Sequence, residues 1–419
     1  MIQKILTDCK TAGISRRKFL AGGAGVLAAT GLGFTLRQEG ARDAVLPGSP
    51  TLPDLRIKEI LIHVIEHEYE GRKIREELAR VITEDGIEGN YTIKPRYWHP
   101  QWNNAGWLEY AKPRLVGRSA LDREMILSQF PPFRRRHGMI SYIAAMDICL
   151  WDILGKSTGL PVYQLLGACK DKVLAYASTT HMNTVEEFVQ TAERSMAEGF
   201  KALKIHPPQA GDGEEQDHRL GIEVARAVRS TVGNDFLLLY DPVGVYNRFQ
   251  AMEVGRALDE LGYYGYEDPL PTNDVEGYVQ LCQALDVPIH TGEFIFSIYD
   301  YAEYIKRGAV DVLRFIVDNV GGITGGMKIA HLAECNGMMV EPHNWGDTFD
   351  HAVHFHCELA IHNGDFFEMK VPQGLGDSVY VKDLIRVEKD GYVYPPKKPG
   401  IGYEIDHDKL DDITIEIKR

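Results

Sequence analysis

Six polar residues recur through the second half of the chain at almost equal intervals. Asp241, Glu267, Glu293, Asp318, His343 and Glu368 are 26, 26, 25, 25 and 25 residues apart. Each stands at or just after a short apolar, β-branched or aromatic run: FLLLYD, YYGYED, VPIHTGE, VLRFIVD, MMVEPH and DFFE. Helix-like sequence fills the intervals. A repeat of that length, with a polar residue closing each strand, predicts a (β/α) barrel whose chemistry lies at the C-terminal ends of its strands.

The chain has 419 residues, enough for such a barrel and a smaller companion domain. A formal charge of -14, with no basic stripe, excludes nucleic acid as a partner. The six cysteines (Cys9, Cys149, Cys169, Cys282, Cys335 and Cys357) show no CxxC spacing and no disulfide density, so they are expected as buried free thiols.

Residues 1–45 read as a signal and linker rather than as part of the fold. Ser15-Arg16-Arg17-Lys18-Phe19-Leu20 precedes a glycine- and alanine-rich apolar run to about Leu36. Twin arginines before a mild apolar segment resemble a Tat export signal, which makes the Tat machinery a partner and the periplasm the expected location. The segment lacks a clean small-x-small cleavage site, which leaves an N-terminal membrane anchor open if it is retained. Pro47, Pro50 and Pro53 punctuate the linker that follows.

Residues 54–170 read as an α+β capping domain. Leu55–Glu66 and Ala79–Ile87 are predicted strands forming a hairpin-like opening. Tyr91, Tyr97, Trp98, His99, Trp102 and Trp107 crowd the segment 90–107, either as a cap over a ligand or as a packed surface loop. Ser141–Gly155 has apolar residues at helical spacing, with Gly155 expected as its stop.

Residues 171–385 carry the barrel and 386–419 return to the capping domain. Lys172–Thr179 is the first predicted barrel strand and Lys201–His206 the second, whose period of two puts Lys204 and His206 on one face. Asp241, Glu267 and Glu293 close strands three to five. Three carboxylates from adjacent strand tips form an oxygen site of the hard-cation type and favour Mg2+. Asp268 is placed beside them as an outer partner. His351, His354, His356 and His362 cluster on the helix after strand seven, where the reading is a helix surface or an oligomer contact.

The run MDICLWDILGKSTGLPVYQLLG, the strand-end motifs and the tail GYVYPPKKPGIGYEID together resemble the mandelate racemase/muconate lactonizing branch of the enolase superfamily, from about Leu55 to the C-terminus. The resemblance implies a modified (β/α)7β TIM-like barrel, an α+β N-terminal capping domain completed by the C-terminal tail, and one Mg2+ per subunit. It also implies a homo-oligomer and a small carboxylate substrate.

In such enzymes Lys204 would stabilise a developing enolate, His343 would be an acid/base group, and Glu368 would hydrogen-bond the substrate carboxylate in the intermediate. Two positions depart from the pattern. Lys204-Ile205-His206 stands where Lys-x-Lys is usual, so His206 is either an acid/base group or a hydrogen-bonding one. Five residues before Gly321-Gly322, where an aspartate usually orients the histidine, the chain has Ile316. Asp318 keeps the 25-residue phase and is expected to pair with His343. Its other readings are an outer partner of the metal and a helix cap.

The implied chemistry is abstraction of the proton α to a carboxylate through an enediolate. Dehydration of a sugar acid to a 2-keto-3-deoxy acid comes first, a racemase or epimerase second and a cycloisomerase third. An exported binding protein without catalysis is the competing class. The segments Glu66–Lys73 and Asn90–Trp107 are the places where specificity would be set, and Pro131–Arg136 either reaches the site as well or is surface.

Overall fold

The computed structural model describes residues 53–69, 72–93, 104–130, 139–208, 217–346 and 348–419. The twin-arginine segment, Tyr97–Trp102 and Pro131–Arg136 lie outside the described residues. No helix among the described residues is long and apolar enough to cross a membrane.

Strands β1 (Ile57–Tyr69), β2 (Arg72–Thr83) and β3 (Glu88–Ile93) form an antiparallel meander. Helices α1 (Asn104–Leu115), α2 (Arg123–Ser128), α3 (Ile140–Thr158) and α4 (Val162–Leu166) follow. Helix α3 runs past the predicted stop at Gly155 and ends at Gly159, whose φ of 73° is the left-handed conformation that favours glycine at a helix end. Gly155 serves another purpose. A Cβ there would come within 2.5 Å of the Gly400 backbone, so its missing side chain lets the C-terminal tail cross the helix.

The barrel alternates β4 (Val173–Ser178), α5 (Val185–Glu198), β5 (Ala202–Ile205), α6 (His218–Val232), β6 (Leu237–Tyr240), α7 (Arg248–Leu261), β7 (Gly265–Glu267), α8 (Val275–Ala284), β8 (Ile289–Thr291) and α9 (Ile298–Arg307). It continues through β9 (Val312–Phe315), α10 (Val317–Val320), α11 (Ile323–Cys335), β10 (Met339–Pro342), α12 (Thr348–Ala360) and β11 (Phe366–Lys370). All eight strands are parallel, in the order β10-β9-β8-β7-β6-β5-β4-β11. Seven βα units and a last strand without its helix give the (β/α)7β pattern. Between the two end strands the seam is bridged by the Val340 N–H on the Asn363 carbonyl, at 2.8 Å, and by Asn344, whose Nδ2 donates to the Glu368 carbonyl, also at 2.8 Å.

The tail divides its contacts. After β12 (Val381–Lys382), β13 (Tyr392–Val393) pairs with barrel strand β4. Then come β14 (Glu404–Ile405), α13 (His407–Ile413) and β15 (Thr414–Lys418), and β15 adds a fourth strand to the capping sheet beside β1. The aromatic segment is partly core. Trp107 is buried and stacks on Phe130 with centroids 5.4 Å apart, and Tyr91 is buried on β3. The five described cysteines are free thiols. Cys149 and Cys357 are buried, but Cys169 and Cys335 are exposed, against the expectation of burial.

Candidate active site

Lys204 is the centre of the site. Strand β5 delivers it to the barrel lumen, fully buried, with Nζ 2.8 Å from Glu368 Oε1, 3.0 Å from Glu267 Oε2 and 3.2 Å from Asp241 Oδ2. Burial alone would favour the neutral amine. The carboxylates of Glu267 and Glu368, with Asp241, outweigh it and raise the lysine pKa well above its ordinary value. Lys204 is therefore an ammonium among these carboxylates.

Glu368 occupies the middle of β11 and accepts on both oxygens. Oε1 takes the Ser178 hydroxyl at 2.8 Å as well as Lys204; Oε2 takes Arg314 Nη2 at 2.7 Å and the Asn344 N–H at 3.0 Å. Burial pushes its pKa up, but Lys204, His343 and Arg314 together hold it well below the usual carboxylate range. In this structure Glu368 anchors the two cations of the site, Lys204 and Arg314.

Arg314 is the residue that sequence reasoning missed. It lies within β9, fully buried, and its guanidinium reaches Glu267 Oε1 at 2.7 Å, Glu368 Oε2 at 2.7 Å and Glu341 Oε2 at 3.4 Å, besides the Tyr176 hydroxyl at 3.0 Å. The one available signal was an arginine inside the apolar run VLRF, since a buried guanidinium implies buried acids around it.

Two histidines flank this cluster. His206 follows β5, its Nδ1 directed at the Thr179 carbonyl at 2.5 Å and its Nε2 at Asp241 Oδ2 at 3.1 Å. The Trp345 ring, two residues beyond His343, lies edge-on to His206 with centroids 5.0 Å apart, a neighbour the strand-end pattern did not contain. His343 follows β10, with Nδ1 2.5 Å from Glu293 Oε2, 3.5 Å from Glu368 and 3.9 Å from Glu267. Burial disfavours its charge, yet Glu293 and Glu368 prevail and raise its pKa to about 10.

Asp318 is not among the partners of His343. Strand β9 ends at Phe315 and the chain turns at once into α10, which carries Asp318 away from the lumen face. Its Oδ2 accepts from the Tyr91 hydroxyl of the capping domain at 2.9 Å. Sequence phase and strand phase part company here because the strand stops short. Asp268, next to Glu267, accepts instead from Thr291 Oγ1 and, at 3.4 Å, from the Tyr278 hydroxyl. Burial and the surrounding Glu293, Asp241 and Glu267 push its pKa well up.

A divalent cation fits part of this acidic ring. Glu267 Oε1, Glu293 Oε2 and His343 Nδ1 are buried without an aligned hydrogen-bond partner, and one donor atom from each residue lies within 4.8 Å of the others. Glu293 and His343 face each other closely but off the hydrogen-bond axis. A buried carboxylate oxygen without a full set of partners is costly, and a hard cation between Glu267 and Glu293 would relieve both. The structure groups Glu267 and Glu293 as the sequence suggested. It leaves Asp241 outside that triad, held by Lys204, by His206 and by the Val243 N–H at 2.8 Å.

Residues 187–409 match the family model described as Enolase C-terminal domain-like, and residues 77–167 match the mandelate racemase/muconate lactonizing enzyme N-terminal domain. An arabinonate dehydratase of Saccharolobus solfataricus is 31% identical over 277 residues, covering 65% of this chain and 72% of that one. A D-mannonate dehydratase of Caulobacter vibrioides is 29% identical over 368 residues, covering 78% and 89%. The magnesium-complexed D-glucarate dehydratase of Agrobacterium tumefaciens superposes with a TM-score of 0.77 at 29% identity, over 87% of this chain and 100% of that one. With both domains matched in order and this barrel beneath them, the chain belongs to the mandelate racemase/muconate lactonizing branch of the enolase superfamily.

Proposed function

We propose that the protein is a Mg2+-dependent lyase that dehydrates a sugar acid to a 2-keto-3-deoxy acid through an enediolate. The observation that carries the reading is the ammonium of Lys204, ringed by carboxylates at the strand ends. It supports the reading that relatives bearing this architecture are named as dehydratases of arabinonate, mannonate and glucarate.

Glu267 and Glu293, with Asp241 from the adjoining strand, would hold the cation. When bound, Mg2+ supplies Lewis acidity towards the substrate carboxylate. Lys204 provides a fixed positive charge where an enolate oxygen gains negative charge, in a site that excludes water and so magnifies the attraction. Arg314 and Glu368 keep that lysine in place.

His206 is the candidate base. Its Nδ1 is held on the Thr179 carbonyl, and Nε2, 3.1 Å from Asp241 Oδ2, is the atom that would exchange a proton with the α carbon. His343, which faces Glu293 and Glu368, is the candidate acid that would convert the departing β-hydroxyl to water. One proton is taken from carbon and one given to oxygen, so charge balances. A positioned acid or base of this kind contributes on the order of 10²–10⁴-fold. Because the two histidines follow different strands, β5 and β10, three apart around the barrel, a second reading follows: an epimerase that returns the proton on the other face.

The test is a panel of aldonic and aldaric acids in deuterated buffer, with Mg2+ or with EDTA. Dehydration yields a 2-keto product that EDTA abolishes, and Glu293→Gln shows the same loss. Deuterium at the α carbon without a keto product assigns the epimerase. Full turnover in EDTA defeats the metal assignment, and no exchange on any acid defeats the enzyme reading.

A further inference from the structure

The capping domain reaches the segments beside the site through its buried side chains. Its buried Tyr91, on β3, places its hydroxyl 2.9 Å from Asp318 Oδ2 in α10 and 2.5 Å from Asp350 Oδ1 in the first turn of α12. Both aspartates are buried. These are the two segments that follow β9 and β10, and each lies next to the site. In α10 the residue after Asp318 is Asn319, whose Nδ2 donates to the Glu293 carbonyl at 2.6 Å. Helix α12 begins just beyond the connection that carries His343, Asn344 and Trp345.

A second grip from the capping domain acts a few residues on. Thr324, at the start of α11, donates through its N–H and its hydroxyl to Asp147 of α3, at 2.9 and 2.6 Å, and accepts from Trp151 Nε1 at 3.0 Å. The short connection from β9 to α11 is therefore held at both ends by the capping domain. Its middle holds the backbone of Glu293.

We infer that Tyr91 is a positioning residue: through Asp318 and Asn319 it lets the capping domain set the backbone, and hence the carboxylate, of Glu293. A backbone carbonyl fixed by a side-chain amide leaves the glutamate only its own rotamers to search, which pre-organises a ligand. The link runs by one hydrogen bond from Tyr91 to Asp318, along the chain of α10 to Asn319, and by a second hydrogen bond to the Glu293 carbonyl. Only its metal arm rests on the reading of Glu293 as a cation ligand.

Tyr91→Phe removes one oxygen and keeps the ring in the core, and Asp318→Asn is the companion variant with unchanged shape. Hydrogen exchange on the full chain should quicken in the peptide spanning Gly292–Ser297 in both variants, while peptides from β1 and β2 stay as in the wild type. Mn2+ titration followed by electron paramagnetic resonance should show a dissociation constant raised roughly 10-fold or more, with kcat lowered more than KM is raised. Adding Tyr91→Phe to Asn319→Ala should cost little beyond Asn319→Ala alone. Unchanged exchange at 292–297, faster exchange everywhere, or additive effects in the double variant would each overturn the inference. Failure of the wild type to bind Mn2+ would instead defeat the metal site, and the exchange comparison would still decide the role of Tyr91.

Discussion

His343 and His356 belong to the same βα unit, both out of water, yet they are held in opposite states of charge. His343 closes strand β10 and meets Glu293, Glu368 and Glu267, which raise it to about 10. His356 lies on α12, where burial drives it down to about 4 and only the Ile401 carbonyl opposes that. Burial pushes both downwards; acidic neighbours from other strands reverse it for one of them.

The lower-charged histidine has a structural task. Its Nδ1 accepts the Tyr163 N–H at 3.1 Å, in the first turn of α4, where Pro161 at the N-cap offers no side-chain acceptor. His354 does the same for α10, accepting the Val317 N–H at 3.1 Å where Ile316 cannot cap. Helix α12 lends its histidines as caps to helices whose own sequences lack them. The expected helix surface or oligomer contact is thus corrected: His351, His354 and His356 are buried, and His362 alone of the four is exposed.

The comparison breaks first at turnover. His343→Asn should lower kcat by about 10³-fold or more, within the span of a lost acid/base group, with a melting temperature close to that of the wild type. His356→Asn should keep kcat within about 2-fold, because it touches nothing that reacts. Steady-state kinetics on the acid identified by the panel, beside thermal melts, checks both. Equal losses of activity in the two variants would erase the distinction.

Arg314→Met tests whether the acidic neighbourhood of His343 needs its internal cation. Removing one partner from a buried ion pair typically costs about 3–5 kcal/mol, and here Glu267 and Glu368 both lose a 2.7 Å contact. The expected result is an unfolding free energy, from urea melts, lowered by that amount, or failure to accumulate folded protein. A variant as stable as the wild type would show that Lys204 alone balances the ring.

These residues also mark how far the sequence could be read. The 25-residue rhythm was legible because a barrel repeats its geometry, and it located Asp241, Glu267, Glu293 and His343 at or just past the strand ends and Glu368 within β11. It failed at Asp318, where counting residues continued the phase after the strand itself had ended at Phe315. Arg314 was hidden within an apolar strand. The charge of Glu368 depends on Lys204 and Arg314, which lie 164 and 54 residues earlier in the chain. Helix α12 carries polar residues on a side that other elements cover, so its histidines looked solvent-facing. Position along an element is local and readable; the charge state of a buried group is set by what the fold brings to it.

The smallest effect is the most specific to the comparison. An imidazole whose folded pKa is depressed adds stability that is complete above its unfolded value and fades as pH falls towards the folded one. For His356 the window runs from the ordinary 6.5 down to about 4, and the gap is worth about 3 kcal/mol when fully lost. His63, also lowered to about 4, and His290, lowered to about 3, share the sign, so the wild-type slope is a sum. His356→Asn keeps an acceptor near Nδ1 for the Tyr163 N–H and removes the titration. Between pH 7 and pH 5 the variant should therefore lose less stability than the wild type, by about 2 kcal/mol, in urea melts at each pH. His362→Asn, on the exposed end of the same histidine series, should follow the wild-type slope. Parallel slopes for all three proteins would mean that the fold leaves the proton affinity of His356 unchanged, and the contrast with His343 would collapse.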